Sequence, residues 1–244
     1  MKPLGQLLGT AWEIYTGQSA VFLGYTAWVL VPYALLILLE PSIQDTAWEI
    51  PIEWTLNVAQ TALILWAVIA ITILTWAILR KKKVKLELVG KKAWQLAPIF
   101  VVIQLVNGLI VVGGSLLLII PGLVFWIWYA FSAQEVVLHK QHGLVALSQS
   151  RNLVRGRFWH VAWRLVGGHG FLALVYLFFT GALVGIVSLL TEGPSVLINP
   201  SDIPLWLEVL VNVIEIVFMP LVIAYSTVLY FDLRESAPKE PART

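Results

Sequence analysis

The sequence predicts an all-α, polytopic membrane protein whose six transmembrane helices form three hairpins, each preceded by a short amphipathic interfacial helix. Three observations carry this prediction. First, 59% of the 244 residues are hydrophobic and 12% charged, whereas a soluble domain is roughly 45–50% apolar and about 25% charged. Second, uncharged stretches of the roughly 20 residues needed to cross a bilayer recur along the chain. Third, Lys and Arg gather in alternate loops, as the positive-inside bias requires. This composition excludes a soluble domain, a disordered chain and a nucleic-acid-binding fold. With no Cys, disulfides, thiolate metal sites and thiol nucleophiles are excluded as well.

The charge-free runs are 14–39, 54–79, 93–134, 165–191 and 209–231, the last interrupted only by Glu215. The third is about twice too long for one helix at about 1.5 Å per residue. It is expected to reverse at Pro121-Gly122, where Pro cannot continue a helix and Gly permits a turn. Six spans result, near 19–39, 55–79, 98–119, 122–138, 158–190 and 205–231. The fifth is longer than a crossing requires, and its Gly167, Gly168 and Gly170 point to a kink or a close helix contact.

Loop charge sets the orientation. Loop 40–53 carries Glu40, Asp45, Glu49 and Glu53, and loop 191–204 carries Glu192 and Asp202; neither has Lys or Arg, so both are expected outside. Arg80, Lys81, Lys82, Lys83, Lys85, Lys91 and Lys92, then Lys140, Arg151, Arg155, Arg157 and Arg164, mark the cytoplasmic loops. With Lys2, Arg234, Lys239 and Arg243, all 16 basic residues fall on one side, so both termini are expected in the cytoplasm. The start of the chain, with Lys2, Gly5, Gln6, Gly9 and Glu13, lacks the compact apolar core and cleavage site of a signal peptide, and the first span is expected to be retained. The single membrane domain covers 1–234, and the polar segment 235–244 is expected to be a flexible cytoplasmic tail.

A weak threefold pattern accompanies the spans. Leu7-Ala11-Ile14, Val89-Ala93-Leu96 and Ala146-Ser150-Leu153 each place apolar or small residues at i, i+4 and i+7 ahead of spans one, three and five. That spacing is one helical face. With Trp12, Trp94 and the neighbouring basic residues, such helices suit the headgroup boundary.

The order Ile119-Ile120-Pro121-Gly122, Glu135-Val136-Val137-Leu138, Gly143 to Ala146, Ser150 and Leu153-Val154-Arg155-Gly156, closed by Tyr230-Phe231-Asp232-Leu233-Arg234, forms a recognisable series. It resembles the membrane domain associated with glycerophosphoryl diester phosphodiesterases and its stand-alone, mostly uncharacterised six-span prokaryotic relatives. The likeness covers roughly the C-terminal two-thirds and rests on the order and spacing of its motifs. It implies a fold and a prokaryotic cytoplasmic membrane. The phosphodiesterase activity of fused relatives belongs to a separate soluble barrel with metal-binding Glu and Asp and catalytic His, for which these residues have no room, so that activity is not carried over.

Two groups of side chains are candidate sites. Counted from the predicted span ends, Asn107, His169 and Glu215 each lie roughly 13–16 Å deep, near the midplane of a core about 30 Å thick. Gln104 and Asn212 stand one turn from Asn107 and Glu215. The cluster Asn107, His169, Asn212 and Glu215 is expected either to relay protons or gate an ion, or to fix how spans three, five and six pack. The second group is basic. Lys82, Lys85, Lys91 and Lys92, interleaved with Val84, Leu86, Leu88 and Trp94, attract anionic headgroups, either as specific recognition or as topology-setting charge. Arg151 and Arg155, one turn apart, are placed to clamp a lipid phosphate, with Asp232 as an alternative structural partner for one of them.

Catalytic signals are poor. Glu135, His139 and His142 have the residue types of a metal site but lack a fourth donor, and solvated loop histidines are the competing account. Ser148 and Ser150 have no His and Asp arranged around them, and Gly113-Gly114-Ser115 suits helix packing. No catalytic residue, cofactor or metal is expected. The expected role is non-enzymatic: to organise or bind membrane phospholipids or membrane protein partners through basic amphipathic cytoplasmic helices, without nucleic acid. The alternative is a small-solute or ion transporter subunit using the midplane polar cluster.

Overall fold

The computed structural model describes residues 1–139, 143–191 and 204–236. These residues are helical apart from short turns, and six helical segments are long and apolar enough to cross a membrane. The chain is an all-α polytopic membrane protein. Its helices are α1 (Leu4–Gly17), α2 (Ser19–Thr26), α3 (Leu30–Ile43), α4 (Glu49–Leu79), α5 (Leu86–Leu117), α6 (Ile119–Tyr129), α7 (Ser132–His139), α8 (Leu144–Val154), α9 (Phe158–Thr191) and α10 (Leu205–Glu235). The segment 237–244, the residues Lys140 to His142, and Glu192 and Asp202 lie outside the described residues.

Span one is α2 and α3 joined by a 3₁₀ turn at Ala27–Val29. Pro32 stands in the first turn of α3 and has no N–H for the carbonyl four residues back, so the chain tightens just before it. Spans two, three and five are single helices, α4, α5 and α9. The reversal expected at Pro121-Gly122 occurs earlier, at Leu118, whose extended backbone (φ −163°, ψ 146°) separates α5 from α6. Pro121 then falls in the first turn of α6, where its missing N–H would have no helical partner. Gly122 serves packing: a methyl group there would overlap Ser115 of α5.

Span four is broken between α6 and α7 at Ala130-Phe131. Ser150 of α8 bridges the break, donating to the Trp128 carbonyl (2.8 Å) and accepting the Phe131 N–H (3.1 Å). Ser150→Ala leaves that buried donor unpaired, so the unfolding midpoint in detergent is expected to fall by the equivalent of about 1–3 kcal/mol. A midpoint equal to wild type would mean the break holds without the bridge.

The three amphipathic stretches are realised differently. The first is α1 and the third is α8, whereas the second is the opening of α5 itself. Leu7, Ala11, Ile14, Val89, Ala93, Leu96, Ala146 and Ser150 are all buried and Leu153 is half-buried, so the shared face packs inward in each. Trp12 and Trp94 are exposed. α1 runs along α10 in the opposite direction: both carboxylate oxygens of Asp232 accept the Lys2 N–H (3.1 Å each), and the Tyr15 hydroxyl donates to the Val217 carbonyl (3.0 Å). These anchors are about 22 Å apart along α10.

The core is concentrated at one end of the bundle. Ile69, Ala70 and Ile71 of α4 are fully buried, in one cluster with Phe22, Phe100, Ile103, Phe131 and the Leu221 to Leu233 half of α10, while Ala67 packs separately with Val29 and Ile216. The same end carries Lys2, Arg80, Arg157, Arg164 and Arg234, whose contacts are described below, and Lys2 meets Asp232 of α10 there. Toward the other end α5 and α9 expose Leu109, Leu116, Leu174, Phe178, Ile186 and Leu189, the surface expected of helices bathed in lipid.

Candidate functional site

The most elaborate polar arrangement lies at the basic end, where α4, α7 and α10 meet. The break before α7 turns Glu135 into the bundle, and only 1% of its surface is exposed. Arg234 Nη1 donates to Glu135 Oε1 (2.9 Å) and to the Tyr230 hydroxyl (2.9 Å), its neighbour one turn back on α10. The Tyr230 oxygen lies 2.8 Å from Glu135 Oε1 and 2.9 Å from His139 Nδ1. A phenol has one hydrogen, so Tyr230 donates to one of these partners while the other contact depends on the imidazole tautomer. The His139 ring stands edge-on to Trp76 (5.6 Å), and the Arg80 guanidinium covers the same indole (4.5 Å). The buried carboxylate joins α7 to α10, and Trp76 ties α4 to them through the His139 and Tyr230 rings.

Glu135 Oε2 is buried without a hydrogen-bond partner among the described residues, 3.7 Å from His139 Nδ1. Glu135 and His139 are adjacent, as the metal alternative required, but they face Tyr230 and Arg234. Among the described residues no group of three or more His, Asp or Glu could hold a metal ion. His142 lies outside those residues. Sequence reasoning missed this knot, although both of its halves stood in the motifs quoted above. Glu135 is the first acidic residue after a long charge-free run, and Tyr230 and Arg234 are four apart on one helical face.

The intramembrane polar cluster is not assembled. His169 Nε2 bonds the Ser226 hydroxyl (2.9 Å) and Nδ1 the Leu165 carbonyl (2.8 Å), which places it against the basic half of α10. Glu215 is about 16 Å farther along α10 from Ser226, and it is exposed. His169 and Glu215 are each about ten residues from the start of their helices, of 34 and 31 residues, which begin at opposite faces. At about 46–51 Å such helices outrun a 30 Å core, so equal counts from opposite faces do not meet in one plane. Asn212 donates to the Glu208 carbonyl within its own helix (2.9 Å) and lines a cleft of about 540 Å³ between α9 and α10 with Glu208 and Thr180. Asn107 is on α5, which packs chiefly against α4, α6 and α7, and its Oδ1 is buried without a partner among the described residues.

The basic candidates are at the surface. Lys82 and Lys85 are exposed in the turn between α4 and α5, where Lys81 adopts a left-handed conformation (φ 53°). Lys91 is exposed and pairs with Glu87 (3.3 Å), and Lys92 is half-buried. Arg151 lies over the Trp128 indole (4.4 Å). Arg155 caps α8, its N–H bonded to the Arg151 carbonyl (2.9 Å), and both arginines are exposed. Asp232, the alternative partner for one of them, is taken instead by the Lys2 N–H. Arg157 turns inward: it donates to the Ser236 hydroxyl (2.9 Å) and to the Leu153 and Leu233 carbonyls (3.0 and 3.2 Å), and burial holds its pKa below the usual guanidinium value.

Compared with models of known protein families, with curated proteins and with solved structures, the chain gives no match.

Proposed function

We propose that this chain is a non-enzymatic integral protein of a prokaryotic cytoplasmic membrane, with both termini inside, that organises or binds anionic phospholipids or membrane protein partners through its basic end. The observation that carries the reading is the exposed stretch 81–88. There Lys81, Lys82, Lys83 and Lys85 adjoin Val84, Leu86 and Leu88, all exposed. Such a segment sets ammonium groups among phosphates while its apolar side chains enter the acyl boundary. Arg151 and Arg155 add a second cationic patch. The resemblance to the membrane domain associated with glycerophosphoryl diester phosphodiesterases belongs to this proposal as a common fold and location, without the phosphodiesterase activity.

The test compares lipids retained by protein purified from membranes of mixed anionic and zwitterionic composition. Wild type is expected to retain anionic lipid preferentially. The Lys82→Gln, Lys85→Gln double variant is expected to lose about 1 kcal/mol per residue, about fivefold each in relative affinity. An unchanged preference would remove the reading. A small-solute or ion transporter subunit is the alternative, resting on the cleft between α9 and α10, on Pro220 within α10 and on the broken span four. Liposome flux that persists unchanged in Glu208→Gln and Asn212→Leu, which alter the polar lining of that cleft, would remove its main support.

A further inference from the structure

The way α1 is laid along α10 leaves a groove where α9 crosses beside them. It has a volume of about 570 Å³ and is walled by Leu8, Gly9 and Trp12 of α1, by Phe171, Val175 and Phe179 of α9, and by α10 around Phe218. We propose that this groove holds one acyl chain of an anionic phospholipid whose phosphate rests at Arg164. The inference rests on the lipid-binding reading above and names a site for it.

The chemistry of the walls selects an apolar occupant. Apart from the Trp12 indole, the one polar side chain in the lining is Tyr15, and its hydroxyl is already bonded to the Val217 carbonyl. That bond lies next to the Ile216 carbonyl, which Pro220 leaves without its usual helical donor. A polar solute would find no side-chain partner here beyond the Trp12 indole N–H. Gly9 shapes the space: a Cβ added to it would meet nothing within 4 Å. Trp12, Phe171 and Phe179 are each about half exposed, so the groove opens sideways toward the surroundings of the helices.

Its position suits a lipid chain. The charge-free part of α9 begins at Leu165, which sets Arg164 at the membrane edge. Phe171 to Phe179 then lie about 10–22 Å below Arg164, a stretch that begins inside one leaflet and ends about 7 Å past the midplane of a core about 30 Å thick. Above the groove, Pro3 and Leu4 at the start of α1 and Trp159, His160, Trp163 and Arg164 of α9 line a second hollow of about 420 Å³. Trp159 and Trp163 are largely exposed, as indoles at headgroup level are. Arg164 donates through Nε to the Lys2 carbonyl (3.0 Å) and through Nη1 to the His160 carbonyl (3.1 Å) and the Met1 sulfur (3.3 Å). Its Nη2 has no partner among the described residues and is the donor assigned to the phosphate.

The test is titration of phosphatidylglycerol, and separately phosphatidylcholine, into the full-length detergent-purified protein, read by native mass spectrometry. Gly9→Trp fills the groove, Gly5→Trp adds the same bulk to an open position outside it, and Arg164→Gln removes the headgroup contact. One tightly held phosphatidylglycerol is expected in wild type and in Gly5→Trp, with at least tenfold weaker binding in Gly9→Trp. Arg164→Gln is expected to bind the two lipids equally. Equal lipid binding by Gly9→Trp and wild type overturns the proposal, as does detergent alone in the groove, or a wild-type dimer that Gly9→Trp dissociates without changing lipid binding. A measurement that avoids groove-filling substitutions is quenching by phosphatidylglycerol brominated on its acyl chain. The component lost in Trp12→Phe reports the groove, and identical quenching in both proteins counts against it. Failure here with an intact effect of Lys82→Gln, Lys85→Gln would discard the groove and leave the lipid-binding reading standing.

Discussion

Arg234→Met is expected to destabilise the bundle by about 3 kcal/mol, the lower end of the range for breaking a buried ion pair. The loss comes from Glu135. That carboxylate is 1% exposed, and without Arg234 the contacts left to it are the Tyr230 hydroxyl (2.8 Å) and His139 Nδ1 (3.7 Å). The lower end applies because Arg234 itself is 38% exposed on its side chain and partly screened by water. Glu135→Gln removes the charge that needed compensation and is expected to cost less than Arg234→Met. Combining the two substitutions should recover part of the loss, a coupling read from a double-mutant cycle of unfolding midpoints in detergent. Equal and additive losses would show that Glu135 and Arg234 are neighbours without being partners, and would leave the joint of α4, α7 and α10 to Trp76, Phe131 and the Tyr230 ring.

The spans were legible because hydropathy and length are one-dimensional properties: a helix that must satisfy its backbone inside lipid has to be long and apolar wherever it packs. The face shared by Leu7, Val89 and Ala146 was legible for the same reason, since periodicity is local. What periodicity could not supply was register between helices. His169 and Glu215 stand in α9 and α10 as expected, yet the helices run in opposite directions past each other, and their offset brings Ser226 to His169. The basic-end knot was hidden by the same gap. Glu135 and Arg234 are 99 positions apart, and the break at Ala130-Phe131 that aims one toward the other is held by Ser150 from a third helix. The turn at Leu118 shows the complementary failure, in which a Pro-Gly pair is read as the bend although the Pro starts a helix and the Gly admits a neighbour.

Register is also where the second large effect is expected. Gly168→Ala should destabilise the protein by about 2–4 kcal/mol, combining overpacking with the loss of one hydrogen bond. A methyl group at this position would overlap the phenol of Tyr225. Tyr225 has little room to yield: it is fully buried, its hydroxyl donates to the Arg164 carbonyl (2.5 Å), and its ring stands edge-on to His169 (5.3 Å). The overlap involves ring carbons as well as the oxygen, so adding Tyr225→Phe is expected to recover only part of the loss. Gly170→Ala is the matched control. Its Cβ would meet nothing within 4 Å, and replacing an exposed helical Gly by Ala favours the helix by roughly 1 kcal/mol. Opposite signs two residues apart on α9 would establish that Gly168 fixes how α9 sits on α10, and with it the width of the groove beside α1. A neutral Gly168→Ala would mean that the two helices can separate at Tyr225, and that the His169–Ser226 contact holds their register instead.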